Sequence, residues 1–391
     1  MNIGQFREFM NNFPSDFIVR RYSNVDGGRD YWACLCSAMD WLTEADDALP
    51  EFKSRAKQND AGWIDLYGYL SCVDVIVEAT DQLNRCVLGV SRTAKVPSLQ
   101  FPSRCFVTRP EAFAKLSDRN YFKELRAAFG AHSVNLNDPT AKNAPKHKTP
   151  EDAREHKAKR FASWVLSRER GQVSNEFDFS VRLYSNSVNV EDIYLGVKLS
   201  ELDQFCDQYL NHLESIVAEI KHQYDKFADE CRKRPIPRCS NIVEQWNTLV
   251  GEARDRGLGS WDDPLVSNVF SVDTKSPKNK RLLVSYRKAI CTVIKKMLTA
   301  FQNMNDQDIQ EARVLLHQTL SPAYPQKKEL SYSLKKTLAG ELPYQVFRNE
   351  IEPFFGEQID FCEITDDVER RVLILAALYE LSNNSTIEVK A

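Results

Sequence analysis

An unbroken apolar stripe near the middle of the chain constrains its fold more than any other feature. Large apolar side chains recur there every three or four residues, the spacing that places them on one face of an α-helix. The pattern predicts one helix over residues 200–231, about 45 Å long. Two arrangements would cover so long a face, a core helix of a bundle and a coiled coil between two copies, and we favour the first. The stripe consists of Leu202, Phe205, Tyr209, Leu213, Ile216, Ile220, Tyr224 and Phe227.

Helical periodicity also dominates the rest of the chain. In the first half it predicts helices over residues 29–49, 62–89 and 111–132, the second of them apolar on much of its circumference. Two prolines, Pro235 and Pro237, follow the long helix and place a domain boundary there, giving an N-terminal domain 1–235 and a C-terminal domain 236–391. In the C-terminal domain the predicted helices lie near 241–256, 278–303, 306–319, 328–338, 343–353 and 366–382.

Two segments of the N-terminal domain depart from the helical pattern. Apolar and polar residues alternate over 177–199 on both sides of Ser185-Asn186-Ser187, which predicts a small β-hairpin inserted into a helical fold. Residues 135–160 are polar, modestly basic and interrupted by three prolines, so they are expected to form a loop. Such a loop is either a lid or RNA-contacting flap, or an ordinary surface loop. The predicted fold class is therefore all-α with a small β-hairpin and a second helical domain.

Composition excludes several classes of function. The 391 residues carry a net charge of −3, so nucleic acid would be attracted only by local basic patches. The ten cysteines form no CxxC pair and mostly lie among apolar residues, as expected in a reducing compartment. No segment is apolar enough for a signal peptide or a membrane span, which indicates a cytoplasmic protein. No metal-ligand spacing, P-loop, GxGxxG or GxSxG motif is present, so neither a metal nor a cofactor is expected.

One stretch points directly to chemistry. The predicted helix ends in Leu125-Arg126-Ala-Ala-Phe-Gly130-Ala-His132, which brings an Arg and a His close together along the chain. Arginine binds two phosphate oxygens at once, and histidine exchanges a proton near neutral pH, so the pair suits a phosphodiester. On an unbroken helix the two side chains would lie about 120° apart around the axis and about 9 Å apart along it. We expect Gly130 to bend or end the helix and so allow them to converge.

This stretch resembles the HEPN superfamily, whose signature is an Arg, a stretch of four to six residues, and a His. The order of two long helices before a shorter helix with the motif is also similar to that family. The resemblance implies a HEPN-like helical bundle in domain 1–235, dimeric, with two motifs meeting in a cleft. Many members are metal-independent ribonucleases of toxin–antitoxin, abortive-infection and other defence systems.

Carried onto this chain, the resemblance implies that Arg126 binds the phosphate and His132 transfers the proton. RNA, a second copy of the chain, and an antitoxin or another defence-system protein are the implied partners. The residue after the arginine is Ala127, where active members commonly have Asn, Asp or His. A second hypothesis is therefore a non-catalytic, HEPN-like dimeric adaptor that binds a protein. A purely structural interpretation pairs Arg126 with a local carboxylate, such as Glu124 or Asp81, and lets His132 cap the helix end.

The densest basic patch lies in the C-terminal domain. Its cations are free of neighbouring acids in the sequence, and Tyr286 follows them, so the patch suits an RNA backbone with a base stacked on the tyrosine. The alternative is the solvated start of a helix. The RNA-binding residues predicted there are Lys275, Lys278, Lys280 and Arg281.

Overall fold

The structure is a computed structural model that divides into two compact units, Met1–Gln223 (unit 1) and Tyr224–Ala391 (unit 2). The division falls within the helix Leu199–Lys233, whereas the sequence placed the domain boundary between residues 235 and 236. The structure describes residues 1–13, 15–23, 30–58, 61–90, 96–131, 136–138, 159–167, 176–186, 190–259, 261, 264–316, 336, 349, 351–364 and 366–388.

Helices make up most of the described part of unit 1, which confirms the predicted all-α class. The helices predicted over 62–89 and 200–231 are present with bounds that differ by one or two residues. The helix predicted over 29–49 extends to residue 56, and the one predicted over 111–132 is an α-helix only over Asp118–Arg126. The first two helices were not predicted. The described α-helices of this unit and of its boundary are α1 (Ile3–Asn12), α2 (Ser15–Tyr22), α3 (Tyr31–Ala56), α4 (Trp63–Gly89), α5 (Asp118–Arg126) and α6 (Leu199–Lys233).

Helices α3 and α4 pack against each other along their lengths. Helix α3 begins at Asp30, whose carboxylate accepts a hydrogen bond from the backbone N–H of the third helical residue (3.1 Å). It continues through Pro50, beyond its predicted end at residue 49. The extension carries Phe52, whose ring lies where a Cβ on Gly68 of α4 would be. We infer that this contact offsets the backbone hydrogen bond lost at the proline.

The apolar stripe of α6 is buried within unit 1. Phe205 lies at the centre of an aromatic cluster, with ring centroids 5.1 Å from Phe106, 5.0 Å from Phe122 and 5.2 Å from Tyr209. Leu202, Phe205, Tyr209, Leu213, Ile216 and Ile220 are all buried in a single chain. The bundle arrangement is therefore confirmed for this part of the helix, and no coiled coil with a second copy is needed to cover it.

The predicted hairpin is one edge of a larger antiparallel sheet in the order β1-β2-β3-β4. The hairpin strands are paired with Val181 opposite Leu195, and both side chains are buried. Strands β1 and β2 include residues that the sequence assigned to the 135–160 loop, so that prediction is wrong for residues 136–137 and 159–160. Residues 139–158 lie outside the described part. The strands are β1 (Leu136–Asn137), β2 (Lys159–Ser167), β3 (Phe179–Ser185) and β4 (Ile193–Val197).

An irregularity explains why β2 escaped detection from the sequence. Its register against β3 shifts between Ala162 and Val165, as in a β-bulge. A bulge adds one residue to one strand and so breaks the alternation of apolar and polar side chains. The buried Arg160 adds a charge at a core position. It forms an ion pair with Asp138 (Nε–Oδ1 2.9 Å) and donates to the Leu183 and Glu191 carbonyls.

Unit 2 is also helical. Trp246, Trp261, Ile290, Phe301 and Val372 belong to its continuous apolar core. The helix Pro264–Ser271 was not predicted, and the predicted helices at 328–338 and 343–353 lie largely outside the described residues. The described helices are α7 (Ile242–Asp255), α8 (Pro264–Ser271), α9 (Pro277–Asn303), α10 (Asp306–Leu316), α11 (Glu352–Phe355) and α12 (Asp367–Glu388). Among all described helices, none has the length and apolar content needed to cross a membrane.

Two helical glycines give a matched test of this packing. In Gly68→Ala the new methyl group collides with the Phe52 ring, so we expect a loss of about 1–3 kcal/mol in unfolding free energy. In Gly251→Ala of α7 the added Cβ meets no atom within 4 Å, so we expect a gain of about 0.5–1 kcal/mol from helix propensity. Urea unfolding followed by circular dichroism measures both. A neutral or stabilising Gly68→Ala would contradict the packing of α3 on α4.

Candidate active site

Helix α5 holds Arg126 at its last residue. The helix begins after Ser117, whose hydroxyl accepts from the Asn120 N–H (3.3 Å). Its inner face buries Tyr121, Phe122 and Leu125 in the core of unit 1. Arg126 follows at the edge of that face, near the negative end of the helix dipole, where a cation is favoured. The apolar residues of α5 therefore determine where the guanidinium can reach.

The backbone changes from an α-helix to a π-helical turn directly after Arg126. This turn spans Ala127–Ala131 and buries Ala128 and Phe129. The Tyr67 ring of α4 lies where a Cβ on Gly130 would be, so only glycine fits beneath it. Single π-helical turns are rare and occur frequently at functional sites. The expected departure from a regular α-helix near Gly130 is therefore present. His132 lies outside the described residues.

Arg126 forms an ion pair with Asp74 of α4, through Nη1 and Oδ2. The carboxylate partner that the purely structural interpretation expected is therefore present, but it is Asp74 and neither of the two suggested residues, Glu124 and Asp81. Asp74 has a raised pKa because its burial outweighs the opposing effect of Arg126. Burial also raises the pKa of Glu124. The Arg126 side chain keeps 38% of its surface exposed, against 19% for Asp74.

The geometry leaves most of the guanidinium available to a ligand. An arginine carries five N–H donors in a planar fork. Within the described part of the chain, Asp74 is the only hydrogen-bond partner of Arg126, and it accepts from Nη1. The edge formed by Nε and Nη2 has no partner among these residues. That edge has the geometry for a bidentate contact with a phosphate.

Arg126 belongs to a row of ion pairs that joins α4 to α5. Arg119 lies two turns before Arg126 on α5 and contacts two carboxylates of α4. Its Nη2 lies 2.8 Å from Glu78 Oε1, and its Nη1 lies 3.1 Å from Asp81 Oδ2, although this second contact lacks hydrogen-bond alignment. Asp81 is fully buried, and its Oδ1 accepts from the Leu99 N–H at 2.7 Å. Arg119 is 10% exposed, so the row runs from a buried end to an exposed end at Arg126.

The sequence contains an indication of this row that the Arg-to-His motif does not include. Asp74, Glu78 and Asp81 recur every three or four residues along a largely apolar helix. Carboxylates at that spacing share one face, and inside a bundle they need cations from a neighbouring helix. Arg119 and Arg126, seven residues apart, supply them.

The sequence places two histidines, His212 and His222, on α6 and predicts both to be solvated, but His212 is half-buried. Its Nε2 lies 3.0 Å from Asn84 Oδ1 of α4, and its ring packs edge-on against Phe101 with centroids 5.8 Å apart. Burial lowers the pKa of His212, although the charge of Asp81 acts in the opposite direction. His222, the other histidine of this helix, is exposed as expected.

The predicted RNA-binding residues all lie in unit 2, at the start of α9. Lys275, Lys280 and Arg281 are exposed, whereas Lys278 is half-buried and donates from Nζ to the Gly356 carbonyl (3.1 Å). Tyr286 is buried and packs on Tyr379 with ring centroids 5.6 Å apart. The proposed stacking of a base on Tyr286 is therefore wrong.

An open apolar groove of about 390 Å³ lies between α3 and α4. Trp41 and Ile64 border it and remain 59% and 56% exposed. Glu44 is the only charged residue among the described residues that line it. Tyr67 lines the groove and also covers Gly130, so one side chain connects the groove to the turn after Arg126.

Comparison with known proteins gives no relative: no protein-family model, curated protein or solved structure matches the chain. Within the described part of the structure, no group of three or more His, Cys, Asp or Glu side chains is arranged to hold a metal ion. The site is therefore defined by its own residues, Arg126 with Asp74 and the π-helical turn.

The two ends of the ion-pair row should differ in their effect on stability. Arg119→Ala leaves the buried Asp81 short of a cation, so we expect a loss of about 3–5 kcal/mol in unfolding free energy. Arg126→Ala removes a half-exposed pair, so we expect a loss of about 1 kcal/mol or less. Urea unfolding of both variants beside the wild type measures the difference. Equal losses would mean that Arg126 serves mainly to dock α5.

Proposed function

We propose that this protein is a metal-independent endoribonuclease of the HEPN type. The observation that carries the proposal is Arg126, which is half-exposed, is oriented by Asp74 and has its Nε–Nη2 edge without a partner among the described residues. The π-helical turn that follows it supports the same conclusion, because a regular helix would hold positions 126 and 132 apart. The resemblance of the Arg-to-His motif to the HEPN signature supplies the reaction.

In this reaction the RNA 2′-oxygen attacks the adjacent phosphorus while the bond to the 5′-oxygen breaks. The products are a 2′,3′-cyclic phosphate and a 5′-hydroxyl. Arg126 would stabilise the added negative charge on the phosphorane, since its fork fits two non-bridging oxygens. A base must remove the 2′-hydroxyl proton and an acid must protonate the leaving oxygen. His132 from each of two copies would fill these two roles.

Asp74 would act as a positioning residue for Arg126. By accepting from Nη1 it restricts the rotation of a long, flexible side chain and fixes which edge faces outward. Its partly desolvated carboxylate has a raised pKa, and the guanidinium opposes that shift. Preorganised charge of this kind needs little rearrangement when negative charge develops on the substrate.

A second copy of this chain is the proposed occupant of the apolar groove between α3 and α4. The groove exposes Trp41 and Ile64, which a monomer leaves in water. Tyr67 lines the groove and covers Gly130 of the turn after Arg126, so a dimer on this face would bring two motifs toward each other. One Arg–His pair supplies only part of the catalytic groups, and two pairs supply the set.

The proposed setting is the cytoplasm of a bacterium, in a toxin–antitoxin or other defence system. An antitoxin or another defence protein would control the nuclease. Both this setting and this partner follow from the HEPN resemblance.

The groove also supports a second candidate function, a non-catalytic HEPN-like adaptor. Ala127 replaces the polar residue that commonly follows the arginine in active members of the family. An adaptor would retain the dimer and use Arg126 to dock α5 on α4. Activity on RNA therefore separates the two functions.

Cleavage of single-stranded RNA by the purified full-length protein in the presence of a chelator tests the nuclease. We expect Arg126→Ala to lower the cleavage rate by about 100- to 1,000-fold, because the phosphorane loses its bidentate donor. His132→Ala is expected to lower it by about 100-fold or more through the loss of proton transfer. The rate is measured by gel separation of labelled RNA, and the cyclic phosphate is identified by mass spectrometry.

Lys123→Ala is the matched control, because it removes an exposed cation from the same helix one turn earlier. It should cleave at close to the wild-type rate. Arg126→Lys keeps the charge without the fork, so an intermediate rate is expected. Cleavage that survives both Arg126→Ala and His132→Ala would disprove the assignment. A wild-type dimer without activity would favour the adaptor.

The dimer is tested by placing charges in the groove. We expect Trp41→Asp combined with Ile64→Asp to yield a folded monomer without RNA cleavage, because two carboxylates would have to be desolvated at the interface. Light scattering after size-exclusion chromatography gives the mass. Val107→Asp, at a highly exposed apolar position outside the groove, is the control and should remain dimeric. A dimer that persists in the double variant would place the interface elsewhere.

A further inference from the structure

Helix α9 of unit 2 has a one-sided charge composition. Its 27 residues, Pro277–Asn303, contain seven lysines and arginines and no aspartate or glutamate. The whole chain carries a net charge of −3, so the positive charge of this helix is opposite in sign to that of the protein. A surface helix normally mixes both signs, because pairs one turn apart stabilise it. The absence of acids on α9 leaves its exposed cations without such pairs.

Two of the seven cations have structural roles. Lys278 donates to the Gly356 carbonyl, and Arg287 donates to the carbonyls of Val269 and Val272. The other five are exposed and form no ion pair within 4 Å with any residue that the structure describes. These five, the basic face of α9, are Lys280, Arg281, Lys288, Lys295 and Lys296.

The basic face forms a straight row. Arg281, Lys288 and Lys295 are each seven residues apart, which on an α-helix means two turns, or about 10.5 Å, with a drift of about 20° per step. Lys280 and Lys296 flank the row at its two ends. Ser285 and Thr292 lie between the cations and add hydroxyl groups to the same exposed side. The result is a linear array of cations of the kind that follows a polyanion backbone.

The opposite side of α9 holds this array in place. Leu283, Tyr286, Ile290 and Ile294 are buried in the core of unit 2. The helix therefore cannot turn its apolar side toward a lipid bilayer, as an interfacial amphipathic helix must. On the basic face Val284 is the only large apolar residue among those described as exposed. A hydrophilic and linear polyanion fits this face better than a membrane.

We propose that the basic face of α9 binds the phosphate backbone of single-stranded RNA. The choice of RNA rests on the proposed nuclease function, whereas the surface itself is independent of Arg126. Lys280 and Arg281 of this face are among the RNA-binding residues predicted from the sequence, and Lys288 follows them in the same basic stretch. Lys295 and Lys296 extend the surface further along the helix. It recognises charge and carries no base readout, so it holds RNA without regard to sequence.

Salt dependence of RNA binding tests this surface directly. Binding of a fluorescein-labelled, unstructured RNA is measured by anisotropy over a series of salt concentrations. The background is full-length Arg126→Ala protein with chelator, so the RNA stays intact. We expect R281Q/K288Q/K295Q to reduce the slope of log K against log salt by about 2, since three contacts each release about 0.7 counterion from a single strand. The affinity at low salt should fall by about 10-fold or more.

The matched control removes the same charge from exposed positions outside α9. K226Q/K233Q/R254Q also neutralises three cations that lie in unit 2 and form no ion pair with a described residue. It should leave the salt slope unchanged, which would support a local surface. Circular dichroism and urea unfolding confirm that both triple variants are folded. A slope that falls equally in the two variants would overturn the proposal, because only net charge would then matter.

Two further outcomes distinguish RNA binding by α9 from the proposed nuclease activity and from membrane binding. If the wild type fails to cleave RNA but binds it through Arg281, Lys288 and Lys295, the nuclease is wrong and this surface stands. If the triple variant retains RNA binding but loses sedimentation with phosphatidylserine vesicles, the basic face recognises a membrane and the proposal is overturned.

Discussion

The candidate site depends on one fully buried carboxylate, Asp81 of α4. A charge removed from water costs several kcal/mol unless cations and hydrogen bonds replace its hydration. Arg119, Arg85 and the Leu99 N–H surround Asp81 and supply that replacement. Because Arg119 belongs to α5, neutralising Asp81 also fixes how far α5 can slide along α4. The register of the two helices, and with it the position of every later residue of α5, follows from this requirement.

That register places Arg126 beside Asp74, two turns along α5 from Arg119. At the buried end of the row an arginine satisfies a carboxylate, whereas at the exposed end Arg126 keeps a free edge among the described residues. Both contacts are arginine–carboxylate ion pairs, and the difference in their burial decides whether the arginine can also bind a ligand. A phosphate-binding arginine must be oriented through one of its N–H groups and keep the remaining N–H groups available to the phosphate. The proposed catalytic role and the docking of α5 are therefore parts of one arrangement.

Under the proposed function the two units would contribute different chemistry to RNA binding. Unit 1 offers a single oriented guanidinium next to an unusual turn, which suits the reaction of one phosphodiester. Unit 2 offers a row of exposed cations on α9, which suits a backbone of many phosphates. Neither feature depends on the overall charge of the chain, which is slightly negative. A local array can bind strongly under these conditions because each phosphate contact acts within a short screening distance.

The sequence by itself determined the long helices α3, α4, α6 and α9 and the β3–β4 hairpin, and it singled out Arg126, because each of these depends on residues a few positions apart. Tertiary structure alone decided that Asp74, 52 residues away, pairs with Arg126, that His212 is half-buried and that Tyr286 is buried. Strand β2 was missed because its bulge breaks the local alternation that predicts strands. Periodicity is a property of neighbouring residues, whereas the partner of a charge and its access to water are decided by which helices pack together.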